Sequence, residues 1–139
     1  MSDISRNIVL KNDIQQITLL EEFIETLASE IAIPDGILME INLALEEAVT
    51  NVILYAYPKD SVGYVDVCAQ SNGAILSLTL SDSGQEFDPT QAPEADITLD
   101  AMDRPIGGLG IHLVRTIMDT VAYRRENGKN ILTMTKKYK

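Results

Sequence analysis

The chain has no tryptophan, two phenylalanines, one histidine and one cysteine among its 139 residues. A single cysteine, Cys68, excludes an intrachain disulfide, and one cysteine with one histidine cannot furnish the nitrogen and sulfur ligands that zinc takes. Cys68 lies in the strand-like run 65–70 and is expected to be a small buried hydrophobe. His112 is expected at the surface or in packing. No stretch approaches the ~18 apolar residues of a membrane-spanning helix. No basic segment leads into an apolar one at the N-terminus, so the expected location is the cytoplasm. Basic residues are scarce as well: 11 Lys and Arg stand against 21 Asp and Glu, a formal net charge of −10. Such a surface repels phosphate backbones and anionic headgroups, so neither nucleic acid nor membrane is an expected partner.

What the chain does have is enough apolar residue, 45% of the total, to build a core. Residues 5–11 read as a first strand, after which Asn12 or Asp13 can cap a helix. Ile17, Leu20, Ile24, Leu27 and Ile31 recur at spacings of three and four, the pattern of an amphipathic helix that Pro34 interrupts. A second helix is expected from Asp35 to about Tyr57, before Pro58. It is apolar on most sides, so it should be buried and its polar residues need a reason to be there. Residues 64–70 and 74–82 form a hairpin about Ser71-Asn72-Gly73. The stretch 85–105 holds three prolines and several acids, and is long enough for a connection with a function of its own. Gly107-Gly108-Leu109-Gly110 then opens a helix to about Met118. A last hairpin, 121–125 with 131–137, turns at Asn127-Gly128. The order β-α-α-β-β-loop-α-β-β predicts one α+β domain over residues 1–139: a two-layer sandwich whose sheet is mixed but mostly antiparallel, with helices on one face.

Three places in this order could carry chemistry. Glu47 and Asn51 are four apart and share a face of the second helix. Taken alone the pair suits a solvated face as well as a site. In a site, Asn51 would be a magnesium ligand and Glu47 a general base, since magnesium takes few protein ligands when phosphates supply the others. Asp82 has the strand parity of Leu76, Leu78 and Leu80, which aims it at the core, where a carboxylate needs a partner. An adenine amine would serve, and so would a turn at the strand end. Gly84 removes a side chain where something approaches closely. The glycines at 107, 108 and 110 stand at a helix N-terminus, where backbone N–H groups hold phosphate. No Lys-Ser or Lys-Thr follows, so this is not a Walker A loop.

Together these segments resemble the GHKL superfamily of ATPases and kinases. Glu47-Ala48-Val49-Thr50-Asn51 is similar to its N-box. Asp82-Ser83-Gly84-Gln85-Glu86-Phe87 is similar to the first glycine box, with Glu86 in place of its usual second glycine. Gly107-Gly108-Leu109-Gly110-Ile111 is similar to the second. Within the superfamily the chain most resembles the anti-sigma-factor serine/threonine kinases of the switch-protein type. That resemblance implies a Bergerat fold binding ATP and Mg²⁺ under a lid over about 85–106. Glu47 becomes the catalytic base, Asn51 the metal ligand and Asp82 the adenine reader. Arg104 would meet the γ-phosphate, and Gly84, Gly107, Gly108, Leu109, Gly110 and Ile111 would complete the nucleotide site. The implied substrate is a small anti-sigma-factor antagonist protein. A sigma factor is a further implied partner, and a homodimer is implied in which the first strand and helix could supply the interface. The alternative is a non-catalytic, ATP-gated protein that sequesters a sigma factor or another regulator.

Overall fold

A computed structural model describes residues 3–58, 60–91 and 110–139. Strand β1 (Ile4–Lys11) leads through a 3-10 turn, Ile14–Gln16, into helix α1 (Ile17–Ile31). Asp13 caps the turn, its carboxylate accepting from the Gln15 N–H at 3.0 Å. Ala32 ends α1 in the left-handed conformation (φ 59°), a position more often given to glycine. Helix α2 (Asp35–Tyr55) follows, then strands β2 (Tyr64–Ser71) and β3 (Ile75–Asp82). The turn between them has Gly73 at φ 94°, and Asn72 Oδ1 accepts from the N–H groups of Ala74 and Ile75. Helix α3 (Gly110–Ile117) precedes the hairpin of β4 (Thr120–Glu126) and β5 (Lys129–Lys137).

The strands form one sheet in the order β1-β2-β3-β5-β4, and every pairing among the described residues is antiparallel. Alternation decides which face is covered. Val65, Val67 and Ala69 of β2, Leu76, Leu78 and Leu80 of β3, and Leu132 and Met134 of β5 are all buried on the helix-facing side. Leu20, Ile24 and Leu27 of α1, Ile41, Leu45 and Val49 of α2, and Val114 and Met118 close the layer from above. Burying each of the larger of these side chains stabilises the fold by roughly 1.5–3 kcal/mol. Cys68 departs from expectation. Its parity is that of Asp66 and Gln70, so it lies half-buried on the open face, across from Asn7 and Thr79. His112 is exposed, as expected. No helix among the described residues is long and apolar enough to cross a membrane.

Two features of this frame set up one end of the sheet. Asn127 and Gly128 both have positive φ (52° and 76°), the conformation of a tight hairpin turn whose twist suits the flanking strands. The β3–β5 register then places Asp82 directly across from Asn130. At the other side of that end, α2 stops two residues earlier than the sequence suggests. Gln85 donates from its backbone N–H to the Ala56 carbonyl (2.7 Å) and from Nε2 to the Tyr55 carbonyl (2.7 Å). Those bonds satisfy two of the carbonyls that a helix C-terminus leaves open.

Candidate functional site

Asn51 of α2, Asp82 of β3 and Ile111 of α3 line a single cavity between the helices and the sheet, together with Phe87, Tyr123 and Asn130. Three of the sequence-predicted site residues therefore meet, although 31 and 29 positions separate consecutive members (82 − 51 and 111 − 82).

Asn51 is 5% exposed. Its Oδ1 is the one buried side-chain nitrogen or oxygen among the described residues that has no hydrogen-bond partner. Such an atom costs about 1–3 kcal/mol in desolvation, and native interiors rarely tolerate it without a reason. A hard cation that takes oxygen ligands is one fitting partner for a neutral amide oxygen. Among the described residues no group of three or more His, Cys, Asp or Glu could hold a metal.

Asp82 is also 5% exposed. Both of its hydrogen bonds end on Oδ1: the Gly84 N–H and Asn130 Nδ2 each donate at 2.9 Å. Among the described residues no donor is given to Oδ2, so one oxygen is held and the other is left to accept. Burial pushes the carboxyl up from its ordinary range, against the Asn130 and Gly84 bonds and the Arg125 charge, which pull it down.

Glu47 lies one helical turn before Asn51 on α2 and is half-buried. Burial pushes its carboxyl upward as well. Glu46, beside it in sequence, belongs to a different neighbourhood. Burial, a hydrogen bond with Glu21 of α1 and the Glu21 charge raise it to about 7.

Gly84 has a reason other than ligand approach. A Cβ there would lie 2.1 Å from the Ala56 carbonyl oxygen and 2.6 Å from its carbon. What comes close is the end of α2, so the structure gives Gly84 a packing role at the edge of the site. Gly110 is the first residue of α3. Arg104, Gly107, Gly108, Leu109 and the expected lid beyond residue 91 lie outside the described residues.

Asn130, Tyr123 and Arg125 carry no expectation of a site role from the sequence, and Phe87 enters it only as the end of the first glycine box. Asn130 (5% exposed) accepts at Oδ1 from the Tyr123 hydroxyl (2.6 Å), the Phe87 N–H (3.1 Å) and Arg125 Nη1 (3.1 Å). Phe87 also faces the ring of Tyr55, centroid to centroid 5.9 Å. A signal for Asn130 was present: it shares the parity of Leu132 and Met134, which makes it a polar residue on a buried strand face.

Residues 10–136 match the family described as the histidine kinase-like ATPase domain. The serine/threonine-protein kinase BtrW of Bordetella bronchiseptica is 30% identical over 95 residues, covering 68% of this chain and 67% of that protein. The serine-protein kinase RsbW of Staphylococcus epidermidis is 31% identical over 97 residues, covering 64% of this chain and 59% of its own length. In three dimensions, a crystal structure of the RsbU and RsbW domains of a Mycobacterium tuberculosis protein superposes with a TM-score of 0.69 over 96% of this chain and 32% of that one, at 17% identity. That likeness concerns the fold.

Proposed function

The chain belongs to the histidine kinase-like ATPase domain family, in the group that includes the BtrW and RsbW serine kinases, and from that premise we propose that it is an ATP-dependent protein serine/threonine kinase that acts as an anti-sigma regulatory factor. Its protein substrate is a small anti-sigma-factor antagonist, phosphorylated on a serine or threonine, and its setting is cytoplasmic. The observation that carries the ATP reading is the pairing, in one cavity, of Asn51 Oδ1 with Asp82 Oδ2, neither of which has a donor or partner among the described residues. A buried oxygen for a cation and, on a buried side chain, an oxygen for an amine suit a nucleotide with its metal better than an apolar ligand.

In this reading Asp82 Oδ2 accepts from the exocyclic amine of adenine. Asn51 Oδ1 would hold Mg²⁺, which supplies charge neutralisation to the phosphates. Glu47 takes the proton from the attacking hydroxyl at its carboxylate, a task helped by the upward push of burial. Phe87 and Ile111 give the base apolar walls. The glycines at 107, 108 and 110, Leu109 and Arg104 are assigned to the phosphates, and residues of about 85–106 to a lid that keeps water from competing with the protein hydroxyl.

Two measurements test this. ATP titration with and without Mg²⁺, with Asp82→Asn as the control, should give tight, magnesium-dependent binding that the variant loses. Incubation with ATP, Mg²⁺ and candidate antagonist proteins should add one phosphate to one of them, seen by intact mass. Complex formation with an antagonist, without that gain, would leave a binding protein and remove the kinase.

A further inference from the structure

We infer that Asn130 is a positioning residue: it fixes Asp82 in the one orientation that reads an adenine amine, and it ties that orientation to the wall of the base site. This role presupposes the ATP reading above. Asn130 Nδ2 has two hydrogens. One goes to Asp82 Oδ1 at 2.9 Å, the other to the Gln85 carbonyl at 2.8 Å. Its Oδ1 accepts from the Phe87 N–H, the Tyr123 hydroxyl and Arg125 Nη1. Arg125 Nη1 also donates to the Gly84 carbonyl at 2.9 Å. One amide, 5% exposed, thus contacts Asp82 and the backbone at 85 and 87, with Arg125 holding 84 in between.

Two consequences follow from this arrangement. First, an aspartate carboxylate can turn about its terminal torsion, which changes where its free oxygen points. With Asn130 Nδ2 and the Gly84 N–H both on Oδ1, rotation would break two buried bonds, so Oδ2 stays the acceptor on offer. Second, Phe87 lines the cavity, and its N–H is held by the same side chain. The carboxylate that selects the base and the ring that covers it are therefore set by one residue rather than independently. Removing the amide should cost base selectivity, not only stability. A residue that merely supported the sheet would cost every nucleotide alike.

The discriminating probe is inosine triphosphate, which has the phosphates and the purine of ATP but a carbonyl where adenine has its amine. Binding of ATP and of inosine triphosphate is measured by calorimetry for the wild type, Asn130→Ala and Tyr123→Phe, each checked for folding by thermal melt. The wild type should prefer ATP by about tenfold or more, the value of a hydrogen bond to a charged group. In Asn130→Ala that preference should collapse to about twofold, because ATP affinity falls much further than inosine triphosphate affinity. Tyr123→Phe, which removes one donor to Asn130 and nothing from Asp82, should lie between. A fourth variant, Asn130→Asp, sets a second carboxyl against Asp82 without changing its size. Its ATP affinity should fall as pH rises and both carboxyls ionise, while that of the wild type, with a single carboxyl there, should not fall over the same range. Equal weakening of both nucleotides in Asn130→Ala, or an Asn130→Asp variant with a flat pH profile, overturns the role while leaving Asp82 as reader. A wild type that does not distinguish the two nucleotides overturns the adenine reading itself.

Discussion

Asn51→Leu makes the sharpest test, because it sets stability against function at one atom. Leucine has the same branched skeleton as asparagine, so the substitution replaces the unpartnered Oδ1 and its amine by two methyl groups at a position 5% exposed. Removing an unsatisfied buried oxygen returns about 1–3 kcal/mol. The neighbours Ala48, Val52, Ile111 and Val114 are apolar and line the same cavity, so the methyls gain contacts there. Fitting the somewhat larger side chain costs up to ~1–3 kcal/mol if the walls cannot adjust. The cavity beside the residue reduces that cost. The net expectation is a protein more stable by about 1 kcal/mol in the absence of nucleotide, seen as a higher urea midpoint with an unchanged slope and a melting temperature raised by about 2–8 °C. The same variant should bind ATP no better with Mg²⁺ than without it. Such opposed effects on stability and activity are the signature of a group strained for function. A loss of 1 kcal/mol or more would refute the reasoning, since it would mean that Oδ1 is paired in solution. Retention of the magnesium effect would refute it from the other side.

Three further substitutions probe other parts of the frame. Gly84→Ala drives a Cβ to within 2.1 Å of the Ala56 carbonyl oxygen, a backbone atom that cannot swing away; with the Gln85–Ala56 bond also disturbed, equilibrium unfolding should register a loss of about 2–4 kcal/mol, and a change under 0.5 kcal/mol would contradict the packing role. Glu47→Gln keeps shape and removes the base, so ATP binding by calorimetry should persist while phosphate transfer in a single-turnover assay drops by about 10²-fold or more; transfer at the wild-type rate would exclude Glu47. For Glu46 the sign is set by a folded-state value raised from 4.5 to about 7 by burial and by Glu21: the folded chain holds a proton that the unfolded one releases, so stability declines as pH rises between those values and the cost is complete above them. Glu46→Gln should therefore match the wild type in urea unfolding below pH 4.5 and exceed it increasingly up to pH 7, with a constant gap beyond; a gap independent of pH would show that the carboxyl is not perturbed.

Most of the fold was legible because it is written in local periodicity. The three-and-four spacing of Leu20, Ile24 and Leu27 gave α1, and the alternation of Leu76, Leu78 and Leu80 gave both β3 and the inward aim of Asp82, which the burial of that carboxylate matches. Asn127-Gly128 announced the last turn through the φ values that glycine and asparagine tolerate. The same alternation rule was available for Cys68 and was overridden by a residue-type preference; parity with Asp66 and Gln70 puts it on the open face. Gly84 was legible as a point of close approach, but the identity of the neighbour was not. Ala56 lies 28 residues earlier (84 − 56), and only the tertiary packing of α2 on the strand end brings its carbonyl there.

Asn130 marks the deeper limit. Its link to Asp82 spans 48 residues and exists only because β5 pairs with β3 in the register Asp82 to Asn130. A slip of one residue along β5 would set Ile131 or Lys129 there and turn every inward side chain of the strand outward. That register is set in two places. The buried row Leu132 and Met134 must face the helices, and the Asn127-Gly128 turn fixes where β5 begins relative to β4. Among the described residues neither turn residue hydrogen-bonds to Asp82 or Asn51, yet in this reading the orientation of the acceptor oxygen depends on the turn. The polar residues of the cavity are thus placed by apolar alternation and turn geometry elsewhere in the chain. A motif can name Asn51 and Asp82, but only the sheet can supply the amide that aims one of them.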